Sequence, residues 1–364
     1  MRFQTLFLAL VISGLAPGVG KAQAVPRTDT PRAGTFRVTV EPIITTWDYE
    51  FTSNGRQRIG ASLPATVFVH QEKRETPLTV DFGITNRIAL SVRLPLVRVR
   101  TRESYHVVDS TGKVDSAGRA LDSLLNDTTY AFGSLMDTPR RLRYFAGDAE
   151  VQAKYRFLEA PNYALSGTLV VRLPTGHQDS PNRLFDMPTG DHQTDIELQV
   201  AQELTLFKRL WLSTMLRAAR QQPGTRARRV GPQSTLLLPH AALATLNWDP
   251  GDYVAIDVAP MYRFAKTFGV GFTLGYLTKQ RDRYTYRSAQ DSITIATRLG
   301  APVRASVLDA GTAERRTRLG VAITYVASNI EGSLSFEQTV TAAGGHVPAA
   351  SVFRVVMRTS RWLF

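Results

Sequence analysis

Long stretches of strict two-residue alternation constrain this chain more than any other feature. In "GDAEVQAKYRF" (147–157), Val151, Ala153, Tyr155 and Phe157 share one parity, while Asp148, Glu150, Gln152, Lys154 and Arg156 share the other. "TDIELQVAQELTLF" (194–207) sets Ile196, Leu198, Val200, Leu204 and Leu206 against Asp195, Glu197, Gln199 and Glu203. "DYVAIDVAPMYRF" and "RRTRLGVAITY" repeat the pattern. A period of two belongs to a β-strand with one apolar and one polar face. These runs reach about ten residues or more, roughly twice an ordinary soluble strand. A tilted strand needs ~9–11 residues to cross a bilayer.

The connections alternate as well. Short turns stand at Thr85-Asn86-Arg87, Ala160-Pro161-Asn162, Phe207-Lys208-Arg209, Asp249-Pro250-Gly251 and Ser328-Asn329, and long polar stretches at 102–146, 175–191 and 222–233. Short turns at one end and long loops at the other describe an all-β, antiparallel, up-and-down transmembrane barrel, whose closure leaves no strand edge exposed. The spacing predicts strands near 34–51, 76–85, 88–101, 147–158, 162–174, 192–206, 209–221, 234–248, 252–264, 267–284, 293–308, 315–327, 330–341 and 350–364, about fourteen, with twelve as the alternative count. Two places fit poorly: 59–70 has to go into the first external loop, and the tight turn at Ala265-Lys266 falls on the long-loop side.

The start of the chain reads as an export signal. Arg2 precedes an apolar run from Phe3 to Leu15, and Ala22-Gln23-Ala24 is a small-x-small cleavage site. The expected domains are a signal peptide (1–24), a periplasmic segment (25–33) and an outer-membrane barrel (34–364). The end agrees with this: "SVFRVVMRTSRWLF" closes on Phe364, as chains handed to the barrel-assembly machinery do. Phe353, Val355 and Met357 lie on the other parity, so a bulge is expected near Thr359. The 364 residues include no Cys and carry a net charge of +13, with the basic residues spread evenly. An exported chain without a basic cluster gives no case for nucleic acid. The expected partners are outer-membrane lipids, the assembly machinery and a small-molecule solute, in the outer membrane of a Gram-negative-type bacterium.

In such a barrel the apolar parity meets lipid, where a mid-bilayer Arg costs about 2–4 kcal/mol, and the polar parity faces the lumen. That rule nominates Arg93, Asp148, Glu150, Lys154, Arg156, Arg172, Asp195, Glu197, Arg263, Arg316, Arg318, Arg354 and Arg358 as pore-lining, with Arg298 and Arg304 on the strand expected at 293–308. "VRLP" occurs twice, at 92–95 and 171–174, each time just before a long loop. Arg93 and Arg172 should therefore stand at similar height, with one acidic strand bearing Asp148 and Glu150 between them. The charges suit either a network of ion pairs filling a narrow lumen or a transverse field selecting small anionic solutes.

Loop 102–146 contains Leu121, Leu124 and Leu125 at helical spacing, and it either folds into the mouth or lies flat on the surface. His177, Asp179, Asp186 and Asp191 in loop 175–191, with His192 at its edge, lack the spacing of a compact metal site, so no metal or cofactor is expected. An outer-membrane hydrolase would need a Ser-His pair. Of the six His, His240 alone falls inside an expected strand, His192 standing at the first residue of another, and Ser234 is too far along the strand for a hydrogen bond. The chain is read as a non-enzyme.

"DFGITNRIALSVRLPLV" (81–97), then "GDAEVQAKYRFL" (147–158), "LVVRLPTG" (169–176) and "PTGDHQTDIEL" (188–198) together resemble the phenol-degradation meta-pathway outer-membrane family. The likeness covers about 76–364 and is strongest at 81–206. It implies a barrel that admits small, often aromatic compounds. The first 50 mature residues and the Arg-rich interior depart from that pattern. Together these readings predict an outer-membrane channel for small organic solutes, with a closed structural barrel as the alternative and a hydrolase as a minor one.

Overall fold

The barrel's first stave is one strand in two pieces, β1 (Thr35–Val40) and β2 (Ile43–Trp47). Pro42 between them has no N–H to give to the ladder. Register with the next stave is unchanged across the gap, with Val40 opposite Leu78 and Ile43 opposite Glu75. The chain continues through β3 (Tyr49–Thr52), β4 (Gly55–Arg58), β5 (Val67–Gly83), β6 (Ile88–Tyr105), helix α1 (Ser116–Asn126), β7 (Phe145–Ala146), β8 (Glu150–Ala160), β9 (Tyr163–Arg172), β10 (Asp195–Leu206), β11 (Leu210–Gln221), β12 (Gly224–Arg229), β13 (Leu243–Asp249), β14 (Tyr253–Arg263), β15 (Phe268–Lys279), β16 (Arg283–Tyr286), helix α2 (Ala289–Leu299), β17 (Glu314–Val326), β18 (Ile330–Ala343), β19 (Val347–Pro348) and β20 (Ser351–Trp362). The computed structural model describes residues 28–63, 67–105, 116–133, 145–207, 209–232, 235–265, 267–326 and 330–362, the side chains of 103–105, 116–117 and 360–362 excepted. The export signal and Phe364 lie outside the described residues.

Twelve antiparallel staves close on themselves in the order β1/β2, β5, β6, β8, β9, β10, β11, β14, β15, β17, β18, β20, and β20 pairs back onto β1. The all-β transmembrane barrel is as expected, and the count is the smaller of the two. Stretches 234–248 and 293–308 are not staves. Alternation in 243–249 is used in a small sheet, β12-β13-β16, among the loops. In 289–299 the local signals favour a helix: Ser288 caps it by accepting from the Asp291 N–H at 3.1 Å, and Gly300 ends it at φ 70°. Arg298 and Arg304 thus leave the pore-lining set. Losing the stave at 234–248 removes the second misfit. The turn at 264–267 joins the short-turn end, and Asp249-Pro250-Gly251 moves to the long-loop end. Residues 67–70 belong to β5, which is 17 residues long. The bulge expected near Thr359 is absent, because β20 keeps a single register with β18 and β1.

Outside, the staves present Leu90, Val92, Leu94, Leu198, Phe272 and Ile323, each 46–69% exposed. Inside, they turn small residues such as Ala164, Ser166, Ala255 and Ala259 inward, among charged ones. So much apolar surface facing outward, over a polar interior, inverts a soluble protein and suits a barrel bathed in lipid. Among the described residues no helix is long and apolar enough to cross a membrane.

Beyond the staves the long loops build a second structure. Leu121 and Leu125 of α1 are fully buried against Ile59, Leu63, Val67 and Val69, with Phe132, Leu184, Phe185, Leu236 and Leu237 packed around them. These residues come from opposite sides of the barrel, so the loops meet over the mouth. The helix therefore folds into this dome and does not lie flat.

Candidate functional site

The interior is organised by one cross-strand row. Arg93 on β6 stands opposite Glu150 on β8, Glu150 opposite Arg172 on β9, and Arg172 opposite Asp195 on β10. Period two puts all four on the same face, although only β8 and β9 are joined by a short turn, at 161–162. Arg93 Nη1 lies 3.2 Å from Glu150 Oε1, and Arg172 Nη1 lies 2.8 Å from Asp195 Oδ2, with its Nε 3.6 Å from Glu150. The row continues backwards: Arg93 faces Glu41 at 3.8 Å, and Glu41 pairs with Arg354, whose Nε lies 3.2 Å from its carboxylate. Opposite charges thus alternate from β20 to β10. The expected Arg–acid–Arg arrangement is present, with Glu150 as its middle member.

A second chain crosses the facing wall. Asp257 on β14 receives Arg217 at 2.8 Å and Arg318 at 3.1 Å, and Arg318 also reaches Glu337 at 3.4 Å. Nearby, Tyr253 donates to Glu197, which also accepts from Gln199. Arg316 pairs with Glu314 at 3.3 Å, and Arg358 with Glu331 at 3.8 Å. Arg263 lies over the Trp211 ring, 3.8 Å from its centroid. Arg156 turns to the short-turn end, donating to the Asn86 carbonyl at 2.6 Å and pairing with Glu159 at 3.0 Å. Lys154 shares the inward parity of Glu150 and sits in the field of Arg37, Asp29 and Asp81. Residues 28–33 lean into the same end of the barrel. The Thr28 N–H donates to Glu203 Oε1 at 3.0 Å, and Asp29 pairs with Arg37 at 2.9 Å.

Asp148 does something that parity did not anticipate. It lies just before β8, and its carboxylate accepts the Gly176 N–H at 2.8 Å and the Asp191 N–H at 2.6 Å. Two Pro-Thr-Gly stretches, 174–176 and 188–190, meet around it and close the neck of loop 173–194. Backbone approaches so closely that a Cβ on Gly190 would stand 2.3 Å from the Asp148 carboxylate, and one on Gly176 would stand 2.6 Å from Gly190. "PTGHQD" is therefore half of a clasp. Its repeat fourteen residues on was the available signal.

Above the clasp, segments 173–194, 222–252, 279–314 and 345–348 line an open pocket of about 470 Å³, walled in part by Asp179, Phe185, Arg226, Arg228, Arg229 and Tyr284. Arg228 Nη1 is 2.6 Å from Asp179, and Arg226 contacts the same carboxylate. Burial raises the Asp179 pKa, but the two guanidinium groups outweigh it and hold the carboxyl below its ordinary range. The Phe185 carbonyl bridges Gln71 and Thr101 at 3.0 Å each, tying this loop to β5 and β6. His192 Nδ1 is 3.0 Å from the Gly176 carbonyl, and His177 packs edge-on to Phe145. No group of three or more His, Cys, Asp or Glu placed to hold a metal occurs among the described residues. His240 opens a short 3-10 turn, not a strand, and its N–H donates to the Thr129 carbonyl.

The crystal structure of an outer membrane channel from Pseudomonas putida F1 resembles this chain with a TM-score of 0.59 at 12% identity, covering 93% of this chain and 100% of that one. The chain has the fold of an outer-membrane channel. Weaker likenesses link it to the TodX monoaromatic hydrocarbon channel (TM-score 0.42, 8% identity, 92% and 91% covered) and the NanC porin (0.40, 10%, 88% and 98%). No protein-family model and no curated protein matches the sequence, so the resemblance to the phenol-degradation meta-pathway family rests on the motifs quoted above.

Proposed function

We propose that the chain is an outer-membrane channel through which small organic solutes, aromatic or anionic, diffuse down their gradient. The thirteen inward residues nominated from sequence are assigned to the pore wall, apart from Asp148, which serves the loop neck. The observation carrying this reading is the row Arg93–Glu150–Arg172–Asp195. Its alternating charges hold each guanidinium in place and set a transverse field across the interior, which orients and selects small polar or charged solutes. The motif resemblance supports a role in solute entry. The reading is of a channel and not of an enzyme. Outer-membrane lipid and the assembly machinery are the partners this role entails.

Planar-bilayer recording on refolded protein tests the proposal. Discrete conductance steps are expected. Replacing Glu150 with Gln leaves Arg93 and Arg172 facing each other across a neutral residue, and should move the reversal potential toward anions. The packing of α1 over the mouth favours a second reading, a closed structural barrel. Absence of conductance at every voltage, in a protein that resists unfolding, would select that one.

A further inference from the structure

On the outer face of β5 and β6, cross-strand pairs run Phe82/Leu90, Val80/Val92, Leu78/Leu94 and Thr76/Leu96, and then change to Arg74/Arg98, Glu72/Arg100 and His70/Arg102. The register is unbroken throughout, so the arginines share the outward parity of the lipid-facing leucines. From Ile88 to Leu96 this face is nine residues long, about the length that crosses a bilayer. The arginines thus begin where the hydrocarbon ends, on the long-loop side. Hairpin β3–β4 adds to them. Arg58 lies over the outward Phe68 ring, 4.3 Å from its centroid, and Arg56 lies over Tyr49 at 4.7 Å. Against these arginines stand Glu72, held by Arg74 at 2.9 Å, and Asp48, held by His70 at 2.6 Å. The Nε of Arg100 finds no acceptor among the described residues. At the same border, β11 and β17 carry single arginines, Arg220 and Arg315.

We infer that this patch docks the phosphate groups of an anionic lipid in the outer leaflet, while the leucines below it pack on the same lipid's acyl chains. Guanidinium forks match phosphate oxygens in pairs, which a scattered positive charge does not. Continuity with the apolar belt selects a lipid over a soluble anion, because one molecule then satisfies both surfaces. The inference rests on the outer-membrane reading but not on conduction.

Native mass spectrometry of the detergent-solubilised full chain, titrated with diphosphorylated lipid A, tests it. Arg98→Gln/Arg100→Gln/Arg102→Gln should weaken lipid A retention by roughly fivefold per arginine, on the order of a hundredfold for all three. The same charge change on the dome, Arg281→Gln/Arg287→Gln/Arg298→Gln, should leave retention unchanged. Arg102→Gln alone, at an exposed position, should still cost roughly fivefold, so a triple variant that fails to fold does not decide the matter. Equal retention in patch and dome variants overturns the inference. So does displacement of lipid A by millimolar inorganic phosphate, which would mark a site for free anions. Insertion into phosphatidylcholine vesicles, scored separately, tells this failure from failure of the membrane reading: a chain that inserts and conducts but ignores lipid A loses only the docking site.

Discussion

The two long strands β5 and β6 live in two environments, and their polarity reverses between them. Up to Leu96 the apolar parity points out and the inward parity carries Ser91 and Arg93. From Val97 onward Arg98, Arg100 and Arg102 point out, while Val97, Val67 and Val69 are buried inside. Since the register does not shift, the reversal comes from composition alone. Below, lipid accepts apolar side chains and the polar ones seek each other in the interior. Above, water reclaims the outside and the inside becomes an ordinary apolar core roofed by α1. The lower region is held by its backbone ladder and closure; the upper one by packing, like any small soluble domain.

That difference predicts separable failures. Leu125 is wholly buried in the dome core. Leu125→Ala should cost about 2–5 kcal/mol locally, seen as protease nicking and fast hydrogen exchange over 116–133. The barrel should keep its heat-modifiable gel mobility. If the barrel instead unfolds along with the dome, the two regions are one cooperative unit and the comparison fails.

The converse change belongs to the belt. Val92, 46% exposed, sits midway along the lipid-facing stretch of β6. Val92→Arg should lower folding stability in lipid vesicles by about 2–4 kcal/mol, measured by equilibrium urea titration, without loosening the dome. Wild-type stability in that variant would mean that this face does not meet lipid.

How much of this was legible beforehand follows from the same division. The belt obeys one rule per residue, so parity and turn lengths recovered most staves and the Arg93–Glu150–Arg172 row. The dome obeys no local period. Leu243–Asp249 alternates like a stave but pairs with β12 and β16, and the 289–299 helix depends on Ser288 and Gly300 at its ends. Asp148 was assigned by parity although it precedes its strand, where parity has no meaning. Its partners lie 28 and 43 positions away, a distance that alternation does not register.

The smallest effect sharpens the comparison through pH. Asp179 clamps Arg226 and Arg228 within the dome, and its carboxyl is held below the ordinary range by those guanidinium groups despite burial. A folded-state pKa below the unfolded value of ~3.9 means that protonation favours unfolding. The clamp's stabilisation is then complete above that value and is lost as pH falls through the folded pKa. Hydrogen-exchange protection factors over 175–191 and 222–232 should stay high from neutral pH down to about 4 and fall below it, while the lipid-facing staves remain protected. In Asp179→Asn the same segments should exchange faster at neutral pH and respond less to acid. If that variant keeps the full acid response, the pH sensitivity of the dome belongs to other carboxylates, and the clamp contributes packing but no charge.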